Sequence, residues 1–321
     1  MKYLDEVLGH IRICYGIEAD DICEASRGYY GETWRLSAAD AGGGERLYFA
    51  KIDYSPAHRD VYRRSFGALE RFMECGIDFV NCPIRALDGG VYTLFGEGVF
   101  GLFEWIEGES YQDEVTKHEE YRMLGEIYRV PWDGLELPAE DFGTRSAEDF
   151  FEWVEFLRTN SRYEELVRLI DSRWDRVLYR SDRLREMSRR CREGLGGDLT
   201  AEGYVITHSD SGSNVIIGAD KFWLVDWDNP IIAPPERDAW FTAMWGWARE
   251  LFADSLARAG VKYELRAERL AYYAYHFWFE YLNVYFMTLR DLPDSYGEIC
   301  GMVEEYFGCW IENCFGFADG V

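Results

Sequence analysis

His208-Ser209-Asp210-Ser211-Gly212-Ser213-Asn214, followed after one hairpin by Leu224-Val225-Asp226-Trp227-Asp228, decides the reading of this chain. Apolar β-type runs at 204–207, 214–217 and 222–226 border a short Gly/Ser loop. The pattern predicts two strands around a tight loop, then a hairpin that returns Asp226 to the neighbourhood of Asn214. An amide oxygen and a carboxylate arriving together are hard oxygen ligands, which Mg²⁺ takes alongside substrate phosphates. Asp210 is then left in the loop to orient a hydroxyl and accept its proton.

This β-rich island interrupts helices. Upstream, charge-rich segments at 119–128, 147–159, 163–171 and 174–193 read as helices. Downstream, helical sequence resumes at 237–259, 262–290 and 296–313. The N-terminal part differs. Strands are predicted at 45–53, 91–95 and 99–106, with a helix at 57–75 carrying Val61, Phe66, Leu69, Phe72 and Met73 at helical spacing. The expected boundary lies at 104–108, giving a strand-rich part of 1–105 and a mainly helical part of 106–321.

Within the first part, Phe49-Ala50-Lys51-Ile52 places Lys51 on the same strand face as Phe49. A lysine facing inward needs an anionic partner, either phosphate or a carboxylate on the helix at 57–75. A solvent-facing lysine on an edge strand is the alternative. Ser26-Arg27-Gly28-Tyr29-Tyr30-Gly31 reads as a glycine-bearing hairpin whose backbone N–H groups can approach oxygen atoms closely, or as an ordinary β-turn.

Composition narrows the options. The 321 residues hold 59 acids against 34 Lys and Arg, a formal net charge of −25. Such a surface repels nucleic-acid backbones and anionic membranes. It is compatible with a cationic small substrate, and equally with solubility alone. With 12 Trp, 22 Tyr and 20 Phe, there is ample material for a core. The eight cysteines form no C-x-x-C pair, so a zinc site is not expected. The first 16 residues lack the apolar stretch of a signal peptide, which points to reduced thiols in a cytoplasmic protein. The most apolar window, 270–288, contains His276, Glu280 and Asn283 and reads as a buried helix.

The island resembles the aminoglycoside phosphotransferase family, whose pattern is H-x-D, then N, a hairpin and I-D-W. Here these are His208-Ser209-Asp210, Asn214 and Val225-Asp226-Trp227, and Ala233-Pro234-Pro235-Glu236-Arg237-Asp238 resembles the segment that follows. The spectinomycin-phosphotransferase-like branch is nearest in wording. The resemblance implies an α+β, bilobal protein-kinase-like fold and transfer of the γ-phosphate of ATP (or GTP), assisted by Mg²⁺, to a hydroxyl of a small acceptor. By the same likeness Asp210 is catalytic, Asn214 and Asp226 hold the metal, and Gly28, Tyr29, Tyr30, Gly31 and Lys51 meet the phosphates. The Glu104 carbonyl and Ile106 amide would meet the base. His208, Asp228 and Glu70 are supporting residues: His208 orients the loop, Asp228 lies beside the metal or caps a turn, and Glu70 pairs with Lys51. The acidity suggests a cationic acceptor such as an aminoglycoside. A choline, amino-alcohol or sugar kinase of the same fold, or a kinase-like nucleotide-binding protein without turnover, are the alternatives. One departure from the family stands out: Asp210 and Asn214 are four residues apart where five is usual.

Overall fold

A computed structural model describes residues 2–27, 31–39, 42–56, 58–111, 113–212, 214–291, 293–308 and 311–321. Its elements are α1 (Lys2–Tyr15), β1 (Ala19–Arg27), β2 (Gly31–Ala39), β3 (Glu45–Asp53), α2 (Arg59–Glu74), β4 (Thr93–Phe95), β5 (Gly98–Glu104), α3 (Glu114–Ile127), α4 (Arg145–Arg158), α5 (Glu164–Asp171), α6 (Trp174–Glu193), β6 (Val205–Thr207), β7 (Val215–Ile217), β8 (Phe222–Leu224), β9 (Ile231–Ala233), α7 (Glu236–Ala239), α8 (Gly246–Ala259), α9 (Ala267–Asp291), α10 (Tyr296–Tyr306) and α11 (Glu312–Ala318). The chain divides into two compact units: residues 1–138 with 208–232, and residues 139–207 with 233–321. The first is therefore larger than the 1–105 part expected. The segment after β5 stays within it because Trp105 N–H bonds to the Leu47 carbonyl at 3.1 Å and Glu109 bridges to Ile217.

The first unit is built on a five-stranded antiparallel sheet in the order β1-β2-β3-β5-β4. Alternation along β3 sorts its side chains. Tyr48, Ala50 and Ile52 pack with Val7 and Ile11 of α1 and with Leu36, Phe100 and Leu102. Phe49 and Lys51 take the opposite face, where α2 buries Tyr62, Phe66, Leu69 and Phe72. Burying each such large side chain stabilises the fold by about 1.5–3 kcal/mol. Helix α2 stops in a Schellman motif: Gly76 is left-handed (φ 73°), Ile77 N–H reaches the Phe72 carbonyl at 3.0 Å, and Gly76 N–H reaches Met73 at 3.1 Å.

Helix α3 begins five residues before the expected 119. Asp113 and Thr116 cap each other there, with Thr116 N–H donating to Asp113 Oδ1 at 2.8 Å and Asp113 N–H to Thr116 Oγ1 at 2.9 Å. The β7–β8 hairpin pairs Val215 with Leu224 and joins the rest of the unit through bridges to Glu109 and Val80. The strand expected at 222–226 ends at Leu224, because Asp226 turns into the left-handed region (φ 62°).

In the second unit α9 is central, packing against α4, α6 and α11. Its Tyr272, Tyr273, Tyr275, Trp278 and Phe279 are fully buried, which accounts for the apolar window at 270–288. The single helix expected at 237–259 is broken into α7, a 3₁₀ turn (Trp240–Met244) and α8, since Trp245 is extended (φ −129°, ψ 117°). Among the described residues no helix is long and apolar enough to cross a membrane.

Candidate active site

The cavity face of β3 carries Lys51 between Thr33 on β2 and Gly101 on β5, its register partners. Lys51 is 12% exposed at its side chain and pairs with two carboxylates, Asp228 and, at 3.3 Å, Asp226. Burial alone would push the ammonium down. The charges of Asp228 and Asp226 outweigh it and hold Lys51 above the ordinary lysine value. Burial also opposes ionisation of Asp226, but Lys51 and then His208 hold its carboxyl below the usual range. For Asp228 burial comes first and the neighbouring Asp226 charge second. Together they push its carboxyl up to about 6, against the pull of Lys51.

These groups line a cavity of about 430 Å³ within the first unit. Phe49, Leu69, Phe103, Trp105, Ile216 and Trp227 supply flat apolar surface, while Lys51, Asn214, Asp226 and Asp228 supply charge and polarity. Such a mixture suits a ligand with an aromatic end and an anionic end. Glu104 and Ile106 are also among its lining residues. The Glu104 carbonyl also accepts a hydrogen bond from Asn81 Nδ2 at 3.1 Å.

The loop from His208 is fixed by its backbone. His208 Nε2–H donates to the Val225 carbonyl at 2.7 Å, and Nδ1 receives the Asp210 N–H at 3.3 Å. The ring also meets Trp227 edge to face at 4.6 Å. With both nitrogens engaged by main chain, His208 orients the loop. Ser209 adopts φ 77°, so two non-glycine left-handed residues, Ser209 and Asp226, flank the site. The four-residue spacing closes as a turn: Asn214 N–H reaches the Ser211 carbonyl at 3.0 Å, and Asn214 Nδ2 reaches the Asp210 carbonyl at 2.6 Å. The Asn214 amide oxygen is then the atom left to act as an oxygen ligand. That oxygen and the Asp226 carboxylate fit Mg²⁺, which takes few protein ligands when phosphates and water complete its shell. Among the described residues no cluster of three or more His, Cys, Asp or Glu forms a metal cage.

The structure brings Lys51, Glu104, Ile106, Asn214, Asp226 and Asp228 to one cavity. Asp210 is solvent-exposed and is not among the residues lining it. Gly28, Tyr29 and Tyr30 lie outside the described residues. Gly31 begins β2, where an added Cβ would stand 2.2 Å from the Ile52 carbonyl oxygen. The expected Lys51–Glu70 pair is corrected. Glu70 binds Arg85 at 2.8 Å, because its position on α2 points it away from β3 toward that arginine.

Sequence reasoning missed Tyr62, Asn81 and a clamp on the loop. Tyr62, one helical turn before Phe66, was legible from the same periodicity. Glu120 on α3 is 1% exposed and accepts from Ser211 Oγ at 2.6 Å and from Lys117 Nζ at 2.6 Å. A Cβ on Gly212 would stand 3.0 Å from the same Lys117 Nζ.

This arrangement belongs to the α+β, kinase-like fold of small-molecule phosphotransferases. The chain matches spectinomycin phosphotransferase APH(9)-Ia, solved with ADP and spectinomycin, at a TM-score of 0.77 and 16% identity over 98% of both chains. It also matches amicoumacin kinase hAmiN, solved with AMP-PNP, Ca²⁺ and Ami, at 0.57 and 12% over 94% of this chain and 93% of that one. Aminoglycoside phosphotransferase APH(4)-Ia with AMP-PNP and hygromycin B matches at 0.57 and 12% over 98% of each. No protein-family model and no curated protein sequence matches the chain.

Proposed function

We propose that this protein is an ATP-dependent small-molecule phosphotransferase that transfers the γ-phosphoryl group to a hydroxyl of a cationic, aminoglycoside-like acceptor. The observation that carries this reading is the cavity in which Lys51, Asn214 and Asp226 meet beside the 104–108 segment. The solved proteins of this fold that hold ADP or AMP-PNP support it.

In this reading the base lies between Phe49, Phe103, Trp105 and Trp227, with the phosphates toward Lys51. The Asn214 amide oxygen and the Asp226 carboxylate would hold Mg²⁺, which neutralises phosphate charge when bound. Lys51 supplies a second, fixed positive charge. Asp210 orients the acceptor hydroxyl and takes its proton as the phosphoryl group leaves ATP. Phosphoryl transfer is loose, so positioning and charge neutralisation carry most of the rate. The net charge of −25 favours a cationic acceptor, and the reading places the protein in the cytoplasm.

A thermal-shift series with ATP and GTP, each with and without Mg²⁺, tests the binding step. Transfer from γ-labelled ATP to a panel of aminoglycosides, aminocyclitols and choline tests the reaction. A Mg²⁺-dependent shift and label transfer are expected. Absence of a shift with either nucleotide would refute the kinase reading.

A further inference from the structure

We infer that Lys51 is held in place by Asp228, from the loop after β8, against the ring of Tyr62, so that α2 offers the lysine an aromatic face where a carboxylate was expected. This deepens the reading of the cavity as a nucleotide site and rests on it only for the binding arm of the test below.

Helix α2 has three acids. Glu70 is bound to Arg85 at 2.8 Å, Glu74 to Arg71 at 3.3 Å, and Asp60 stands in the first turn. The ion-pair partners of Lys51 are instead Asp228 and Asp226, 177 and 175 residues away in sequence. The residue that α2 turns toward Lys51 is Tyr62, whose ring centroid lies 5.6 Å from Nζ. A cation over a tyrosine face at this range is attracted by the ring quadrupole.

The sheet is shaped to admit that ring. Gly101 stands directly opposite Lys51 in the β3–β5 register. A Cβ on Gly101 would come within 2.7 Å of the Tyr62 hydroxyl and 2.6 Å of Phe66 Cζ. The side chain that Gly101 lacks is therefore the space that Tyr62 occupies. Tyr62 is 1% exposed, and its hydroxyl has no hydrogen-bond partner among the described residues. The ring, not the hydroxyl, is what the site uses.

The two aspartates divide the work by exposure. The Asp226 side chain is 52% exposed toward the cavity, where a cation can reach it, while Asp228 is 20% exposed and stays with Lys51. When Asp226 turns to a cation, Asp228 remains the counter-charge that keeps the ammonium in position. The Asp226-Trp227-Asp228 stretch of one loop thus sets both the lysine and the metal-side carboxylate, and Asp228 is a positioning residue.

The free-protein test is a double-mutant cycle on unfolding, using Lys51→Met and Asp228→Asn. Asp228→Asn is expected to shift the unfolding constant about threefold more when Lys51 is present than in the Lys51→Met background. Equal shifts in both backgrounds would overturn the inference. Should Asp228→Asn not fold, Tyr62→Leu takes its place in the cycle with the same expectation. The binding arm uses Mg-ATP calorimetry. Asp228→Asn should weaken affinity about tenfold, and Tyr62→Glu added to it should recover part of the loss by returning a carboxylate to the helix. Wild-type affinity in Asp228→Asn would also overturn the inference. If wild type binds no nucleotide, the proposed function falls, and the unfolding cycle still decides the anchor.

Discussion

Glu120 holds Ser211: a carboxylate 1% exposed on α3 accepts the serine hydroxyl at 2.6 Å, one residue after Asp210. The same carboxylate holds Lys117 at 2.6 Å. Removing it leaves a poorly solvated ammonium and an unpaired hydroxyl. Glu120→Ala should therefore cost about 3–5 kcal/mol in urea unfolding, against about 1 kcal/mol for Ser211→Ala. Turnover should fall in both variants, because the loop bearing Asp210 loses its tie to α3. Equal stabilities for the two would show that Lys117 does not depend on Glu120.

Asp210 and Asp226 should separate by assay. In the proposed reaction Asp210→Asn removes the proton acceptor and should lower kcat by about 10²–10⁴-fold with nucleotide affinity preserved. Asp226→Asn should weaken binding of nucleotide with Mg²⁺ more than binding without it. Calorimetry beside turnover measurements distinguishes the two. Loss of nucleotide binding in Asp210→Asn would move that residue from the acceptor to the phosphates.

Glycine substitutions should have opposite signs at two positions. At Gly108 a Cβ would stand 2.4 Å from the Ile217 carbonyl oxygen, at the bridge that ties the β7–β8 hairpin to the 104–109 segment. Gly108→Ala should destabilise by about 1–3 kcal/mol. Gly301, inside α10, has nothing within 4 Å of its added Cβ. Gly301→Ala should stabilise by about 0.5–1 kcal/mol. Denaturant midpoints of the two variants check both signs.

Acid should act through His10. Burial lowers its affinity for protons below that of an ordinary imidazole, while its Nε2 bonds to Thr93 Oγ1 at 2.8 Å. The unfolded chain therefore binds the proton more readily. The stability His10 contributes is present above pH 6.5, and it is lost as pH falls through the lower folded value. Replacing it by His10→Gln should flatten the loss of stability between neutral pH and mild acid. An unchanged slope would assign the acid response elsewhere.

Thiol titration should be two-phased. Cys23 and Cys75 are exposed, whereas burial pushes the Cys191 thiol up to about 12 and Cys314 is also buried. A disulfide reagent at neutral pH should modify the first two quickly and the last two only after unfolding. Fast labelling of Cys191 in the native state would contradict the packing around it.

What was legible in the sequence was local. Strand β3 and helix α6 begin and end where alternation and periodicity place them, since those signals depend only on neighbours in the chain. The order of His208, Asp210, Asn214 and Asp226 carried the resemblance, and the four polar cavity groups, Lys51, Asn214, Asp226 and Asp228, were all named beside it, Asp228 as a metal-side or turn-capping residue. The partner of Lys51 was not legible. It stands 177 residues away, and its choice depends on Gly101 opening a place for Tyr62, a fact of packing between strands and helix. The start of α3 was missed because an Asp/Thr cap replaces the usual Glu. The break after α7 rests on one extended residue, Trp245, that no composition signal marks.

Under the proposed function, the alternation of β3 makes nucleotide recognition a test of correct assembly. A slip of one residue against β2 or β5 would turn Lys51 into the layer formed by Val7, Ile11 and Phe100 and present Ala50 or Ile52 to the cavity. A misregistered molecule would thus be poorly packed and would lack Lys51 in the cavity. Retention on an immobilised nucleotide would then enrich correctly paired chains. Single-residue insertions within 46–52 should be far less tolerated than insertions in the connection ahead of it.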